Sequence, residues 1–205
     1  MCDGFAPELR DVKGGRRFSQ AISEGDGISL IVDVDGADAA RRAESEGAEA
    51  VVVQSGREGR LEEIRAATTL PILVYYGGEP ADRVTGADAC ILEATEGDRL
   101  EQAALELSAE LELAFRIEEE GHLDEALEKF DPELFVLASD SDSDTTALER
   151  VLDLLPDIPA GKLAIAELPV ATREEVEALE RAGVDAVIVR AGNVAELAGG
   201  APPEV

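Results

Sequence analysis

The sequence predicts an α/β fold in which eight parallel strands alternate with helices and close into a barrel. One segment type occurs three times, at 47–53, 86–92 and 183–189: a glycine, a small residue and an acid precede a run of strand-forming residues. Glycine suits the left-handed position at a helix end, and an unbroken aliphatic run suits a parallel strand covered on both faces. Strand and helix patterns also alternate after residue 28 with short connections. This favours a compact (βα)8 TIM barrel with short loops over the alternative, an open doubly wound sheet.

The elements are predicted from hydrophobic periodicity, with apolar runs taken as strands and amphipathic stretches as helices. A first helix at 17–23 lies in an N-terminal extension, residues 1–27, which ends in a glycine-rich turn. Strands are expected at 28–34, 50–54, 71–75, 89–92, 113–117, 134–138, 163–166 and 186–189. The helices that follow them are expected at 37–46, 61–68, 80–85, 98–111, 123–130, 145–155, 173–182 and 194–197. Residues 1–205 thus form one barrel domain with a tail at 198–205, and the recurring glycine segment indicates quarter-barrel repetition.

Composition narrows the functional classes. Apolar residues make up 45% of the 205 residues, which is typical of a globular domain, and no apolar run has the length of a membrane span. The N-terminus lacks the pattern of a signal peptide, and the two cysteines, Cys2 and Cys90, are not expected to form a disulfide. These observations predict a cytoplasmic protein.

The charge balance is strongly acidic. The chain has 46 acidic and 18 basic residues, for a net charge of −28. Such a surface repels polyanions, so we expect neither nucleic acid nor an anionic membrane as a partner. The acids are spread over every predicted helix, which favours adaptation to concentrated salt, where repulsion is screened within about 3 Å at 1 M. The alternative is an acidic surface that binds a basic partner.

In a barrel of this kind, function lies at the carboxyl ends of the strands. Asp33 and Asp35 follow the first strand two residues apart, so both are expected to face the interior, roughly 6–7 Å apart. With Glu93 or Glu167 they could hold a divalent cation or perform acid–base chemistry. The alternative is that these acids pair with arginines at the same barrel end.

Two arginines are predicted at this end, Arg116 and Arg190. Their guanidinium groups could clamp a phosphate or carboxylate, or they could neutralise the neighbouring acids. Tyr75 and Ser139 end or follow the third and sixth strands and are further candidates for contact with a small-molecule ligand.

Sequence motifs give no sign of a cofactor. The chain contains no P-loop, dinucleotide-binding glycine fingerprint, Cys/His metal spacing or nucleophile elbow, so we expect no cofactor and no metal. Asp140, Asp142 and Asp144 have the spacing that opens a calcium loop, but Thr145 and Val151 occupy its glycine and glutamate positions. We therefore expect an acidic loop that caps the next helix.

Three segments resemble indole-3-glycerol-phosphate synthase, a tryptophan-pathway barrel that cyclises an anthranilate-derived ribulose phosphate. They are Ile28-Ser29-Leu30-Ile31, residues 61–73 and residues 172–189, within a resemblance that runs from about residue 18 to 197. These are mainly scaffold positions. The resemblance implies a TIM barrel and, if the activity is kept, a carbon–carbon lyase of tryptophan biosynthesis.

The catalytic positions implied by this resemblance are mostly changed. The family's glutamate and lysine at the end of strand one correspond to Asp33 and Asp35, and its strand-three lysine falls on or near Tyr75. Its strand-five glutamate corresponds to Arg116 and its strand-six asparagine to Ala138. Ring closure and dehydration need a cationic general acid, which an aspartate cannot supply at neutral pH. By resemblance, the candidate catalytic set is therefore an altered one.

Only the strand-seven glutamate of the family is retained, as Glu167. The Ser-Gly that follows it in the family has become Leu168-Pro169, the Gly-Glu of strand eight has become Arg190-Ala191, and the long loop after strand one is missing. Proline lacks the N–H that would bind a phosphate. We interpret the chain as a diverged barrel that has lost the family reaction and acts on or binds a small ligand; the alternatives are an active synthase and a non-catalytic scaffold.

Overall fold

The computed structural model describes residues 15–25, 27–78, 80–93, 98–139, 144–192 and 194–199. The strands form a closed parallel barrel in chain order, in which β1 pairs with β8. The strands are β1 Ser29–Asp33, β2 Ala50–Val53, β3 Ile72–Tyr75, β4 Ala89–Glu93, β5 Glu112–Ile117, β6 Leu134–Ala138, β7 Leu163–Glu167 and β8 Ala186–Arg190. The helices are α1 Arg17–Ser23, α2 Ala37–Ser45, α3 Leu61–Ala67, α4 Asp98–Leu107, α5 Glu120–Lys129, α6 Asp144–Leu154, α7 Arg173–Ala182 and α8 Val194–Ala198. The predicted TIM barrel is confirmed, and the open sheet is excluded.

Two predicted helices differ most from those observed, and α5 begins at Glu120 instead of 123. α4 ends at Leu107 instead of 111, because a tight turn, in which Glu110 N donates to Leu107 O, leads directly into β5. The helix predicted at 80–85 is a single 3-10 turn, Ala81–Val84. Pro80 starts this segment and Gly86 ends it with φ +100°, which leaves room for one turn only.

The repeated glycine segment has a structural explanation. Gly47, Gly86 and Gly183 adopt φ values of +95°, +100° and +100°, a left-handed region that favours glycine over any residue with a Cβ atom. The acid two residues later then accepts a hydrogen bond from the backbone of the preceding strand. The donors are Leu30 N to Glu49 (2.9 Å), Ile72 N to Asp88 (2.8 Å) and Ala164 N to Asp185 (2.7 Å). Each acid thus joins an even-numbered strand to the odd-numbered strand before it.

β6 carries a fourth, altered copy of this segment. Asp131 occupies the glycine position with φ +45°, and Glu133 occupies the position of the acid. Here the acid pairs instead with Arg16 at 2.6 Å, and Asp131 pairs with Lys162 at 2.7 Å. The copy escapes detection by sequence because Asp-Pro-Glu replaces glycine, small residue and acid. Its presence agrees with the predicted quarter-barrel repetition.

The N-terminal end of the barrel is closed by α1. Phe18 and Ile22 are fully buried and pack with the inward-facing side chains of the strands. The buried carboxylate of Glu112, at the start of β5, accepts hydrogen bonds from Phe18 N at 2.6 Å and from Ser19 N at 3.1 Å. The side chain of Glu112 therefore holds the start of α1 in place at the N-terminal end of the barrel.

A second and larger apolar cluster lies between the outer faces of the strands and the surrounding helices. Strand residues alternate between the two clusters, as Ile31 inside and Val32 outside show on β1. Across the described ranges, no helix has the length and apolarity that crossing a bilayer requires. At the carboxyl ends of the strands, polar side chains such as those of Asp33, Arg116 and Glu167 line a cavity.

Candidate ligand site at the carboxyl ends of the strands

A cavity of about 470 Å³ opens at the carboxyl ends of the strands. It lies towards β7, β8 and the loop between β7 and α7. The side chains and backbone that line it belong to Asp33, Gln54, Arg116, Ser139, Glu167, Leu168, Pro169, Val170, Ala171, Glu175, Ile188, Val189 and Arg190. Its size falls within the range of small-molecule sites. We refer to it below as the β7–β8 pocket.

Glu167 is the centre of a hydrogen-bond network in this pocket. The hydroxyl group of Tyr75 donates to its Oε1, and Nε of Arg116 donates to its Oε2 at 2.7 Å. Arg116 also forms an ion pair with Glu118, the residue that follows β5. The three strands β3, β5 and β7 are therefore connected through the two oxygens of one carboxylate.

The environment of this network shifts two pKa values upward. Burial raises the pKa of the Tyr75 hydroxyl well above its usual range, and the charge of Glu167 raises it further. Burial alone would lower the pKa of Arg116, but its hydrogen bonds and ion pairs with Glu167 and Glu118 outweigh this, and the pKa rises. Tyr75 is therefore a neutral donor and Arg116 a permanent cation over the ordinary pH range.

Asp33 lies at the end of β1 and faces the pocket. Burial raises the pKa of its carboxyl group, while the charge of Arg57 and a hydrogen bond from Gln54 lower it in part. Arg57 contacts it at 3.3 Å from the turn after β2. The predicted alternative, in which the acids pair with Arg116 and Arg190, thus describes Glu167 with Arg116, whereas Asp33 pairs with Arg57.

Arg190 ends β8 directly opposite Asp33 in the strand register. Its side chain is exposed at the pocket, and its charge lowers the pKa of Asp33 at a distance. It forms no hydrogen bond or ion pair with a residue in the described part of the chain. Its guanidinium group is therefore available for contact with a ligand.

Two of the predicted site residues, Asp35 and Glu93, do not line the pocket, although the charge of Asp35 raises the pKa of Asp33 and Glu93 pairs in register with Arg116. Asp35 was expected to face the interior with Asp33, but β1 ends at Asp33 and the chain turns, so Asp35 is exposed and does not line the pocket. Its carbonyl oxygen accepts a hydrogen bond from Arg60 at 2.5 Å. Glu93 ends β4 as an exposed residue that also does not line the pocket. The predicted placement of Asp35 is therefore wrong, because strand alternation applies only within the strand.

Ser139 lines the pocket, as predicted, whereas loop residues 140–143 lie outside the described part of the chain. Among the described residues, no group of three or more His, Cys, Asp or Glu side chains could hold a metal ion. The functional roles of Glu167, Asp33, Arg116, Arg190 and the other candidates remain predictions.

The capping box in the loop between β7 and α7 was missed by the sequence analysis. The carboxylate of Glu175 accepts hydrogen bonds from Ala171 N and Thr172 N, both at 2.9 Å, and these bonds lower its pKa. Thr172 in turn accepts from Glu175 N, which completes a capping box at the start of α7. The Thr-x-x-Glu spacing was a visible signal for this arrangement. Arg57 was missed as well, since nothing in the sequence joins it to Asp33.

Comparisons with known proteins give distant similarities to the family that the sequence resembles, the indole-3-glycerol-phosphate synthases. No family model matches the chain. The chain is similar to indole-3-glycerol phosphate synthases from Variovorax paradoxus (31% identity over 139 residues, 63% of this chain and 52% of that protein) and Acidithiobacillus ferrooxidans (34% over 110 residues, 52% and 42%). It thus spans about half the length of these relatives. A third, from Alkaliphilus metalliredigens, is 24% identical over 218 residues, 90% of this chain and 82% of that protein.

Among solved structures, the chain is similar to thiamine phosphate pyrophosphorylase from Pyrococcus furiosus. The TM-score is 0.63 with 17% sequence identity, over 83% of this chain and 90% of that chain. This likeness shows the shared barrel fold alone. Together, the comparisons establish a distant similarity to indole-3-glycerol phosphate synthases on a TIM barrel.

Proposed function

We propose that the protein is a diverged relative of the indole-3-glycerol-phosphate synthases that no longer catalyses their reaction and uses the β7–β8 pocket for another small molecule. One observation carries this proposal. Glu167, the retained family position, gives both carboxylate oxygens to Tyr75 and Arg116. By resemblance, those two residues stand where the family has a lysine and a glutamate. Around the retained acid, a cation is thus replaced by a neutral hydroxyl group and an anion by a cation.

Proton transfer is the first requirement that the site fails to meet. Ring closure and dehydration need a cationic acid with a pKa near the working pH. The pKa of the Arg116 guanidinium is too high for this role, and Tyr75 is a neutral donor with a raised pKa. The two lysines in the described ranges, Lys129 and Lys162, lie near the opposite end of the barrel, at the end of α5 and before β7.

Phosphate binding is the second requirement of the family reaction that the site fails to meet. The family substrate carries a phosphate group, which backbone N–H groups after β7 would hold. In this chain the amides of Ala171 and Thr172 already donate to Glu175, and Pro169 has no N–H. An acidic pocket wall adds repulsion against a dianion. The open cavity, on the other hand, supports a ligand site over the alternative of a scaffold whose barrel end is closed by ion pairs.

The test is a turnover assay with the family substrate in molar KCl, measured by the fluorescence of the indole product. The chain contains no tryptophan, so the protein contributes little background at indole wavelengths. We expect no turnover by folded wild-type protein, and none by its Glu167→Gln variant. Turnover that Glu167→Gln abolishes would contradict the proposal and support the alternative, an active synthase in which Asp33 and Arg116 have taken over the missing roles.

A further inference from the structure

Resting on the proposed function, we infer that the β7–β8 pocket binds a small monocarboxylate with an apolar body, which Arg190 holds, and that it discriminates against phosphate esters. Three observations support this ligand class. Arg190 has no ion pair with a described residue, the loop amides that could bind an anion already donate to Glu175, and one wall of the pocket is apolar.

The cation for this ligand is Arg190. Of the two arginines that line the pocket, Arg116 is held by Glu167 and Glu118, whereas Arg190 is exposed and has no ion pair within the described ranges. A guanidinium group presents two parallel N–H donors that match the two oxygens of a carboxylate. Arg190 is the last residue of β8, so a strand of the barrel positions its charged group at the cavity.

A phosphate dianion needs more than Arg190 supplies. Its third oxygen and second charge would require further donors, and the amides of Ala171 and Thr172 are bound to Glu175. Glu175 thus holds a negative charge where a phosphate group would otherwise use the loop donors. Asp33 and Glu167 line the same cavity, so a second ligand charge meets repulsion that a single charge compensated by Arg190 largely avoids.

The apolar body of the ligand is inferred from the opposite wall. Leu168, Pro169 and Val170 of the β7–α7 loop line the cavity together with Ile188 of β8. These side chains would remove a branched aliphatic group from water, which contributes to affinity in proportion to the apolar area covered. The pocket therefore combines one cationic end with one apolar side.

The inference is tested with three probes: isovalerate, acetate and isobutylphosphonate. Their binding is measured by ligand-observed NMR titration of the full chain in molar KCl. We expect isovalerate to bind at least about tenfold more tightly than acetate, because its branched chain covers the apolar wall. The titrations are made above the second pKa of the phosphonate, where it is a dianion, and it is then expected to bind more weakly than isovalerate despite an equal apolar group.

Two variants localise the binding. Arg190→Gln is expected to weaken isovalerate binding by at least about tenfold, since the charge-assisted pair is lost. The control is Arg181→Gln, which removes the same charge from the last turn of α7, where Arg181 donates to Glu177 O and does not line the pocket. It is expected to bind isovalerate as the wild type does. Equal weakening by both variants would overturn the role of Arg190.

Two other results would overturn the ligand class. One is the absence of isovalerate binding by folded protein, and the other is phosphonate binding as tight as or tighter than isovalerate binding. Failure here is separable from failure of the proposed function. If the protein neither turns over the family substrate nor binds isovalerate, only the inferred ligand class is wrong. If it turns over the family substrate, both the ligand class and the proposed function are wrong.

Discussion

In millimolar KCl the protein is expected to melt at a temperature at least about 10 °C lower than in molar KCl, a difference of a few kcal/mol for a chain of this size. The chain carries an excess of 28 negative charges. The Debye length grows from about 3 Å at 1 M salt to about 30 Å at 0.01 M, so at low salt these charges repel one another across the surface. The measurement is thermal unfolding followed by circular dichroism over a series of KCl concentrations.

Sucrose provides the control for this salt series. It stabilises folded proteins by exclusion from their surface but screens no charge. If charge repulsion is the cause, sucrose in millimolar KCl restores only a small part of the lost melting temperature. A melting temperature that is the same in millimolar and molar KCl would contradict our proposal that the acidic surface is an adaptation to concentrated salt, and would leave a basic partner as its explanation.

Glu112→Ala is expected to destabilise the barrel by about 2–4 kcal/mol, because it leaves buried amides without an acceptor. The Glu112 carboxylate binds Phe18 N and Ser19 N, and both of these residues are buried. Its loss releases the helix that closes the N-terminal end of the barrel. The measurement is the free energy of unfolding from denaturant titration in molar KCl.

The matched control is Glu110→Ala, which removes an equal charge at an exposed position two residues earlier. Surface substitutions of this kind typically change stability by less than about 0.5 kcal/mol. Glu112→Gln should fall between the two, since the amide oxygen can still accept a hydrogen bond but carries no charge. If Glu112→Ala were no more harmful than Glu110→Ala, α1 would not be held as described.

The fold follows from the sequence because a parallel barrel repeats one local rule. Gly183 ends α7 with φ +100°, and the aliphatic run after it forms β8, so each junction is visible in a few residues. The ends of elements are less predictable where a single turn decides them. α4 stops at Leu107 because of backbone hydrogen bonds in the following turn, and no residue type there signals the stop.

The candidate site was predictable only in part. Strand alternation places Asp33, Tyr75, Arg116 and Glu167 on the inner face, and the structure brings the last three together. The same rule failed for Asp35, because the strand ends before it. It also gave no partner for any of these side chains, since the distance from Tyr75 to Glu167 depends on how the strands curve around the barrel.

The measurement that tests the account most directly is a double-mutant cycle between Tyr75→Phe and Glu167→Leu, with unfolding free energies measured in molar KCl. The central claim is that the retained glutamate is committed to an internal network. We expect a coupling energy of about 1–3 kcal/mol, as for a hydrogen bond to a charged acceptor. The control cycle replaces Tyr76, which packs against the outer cluster, with Phe and should give a coupling near zero. A coupling near zero for Tyr75 as well would show that Tyr75 does not hold the Glu167 carboxylate, and would contradict the account.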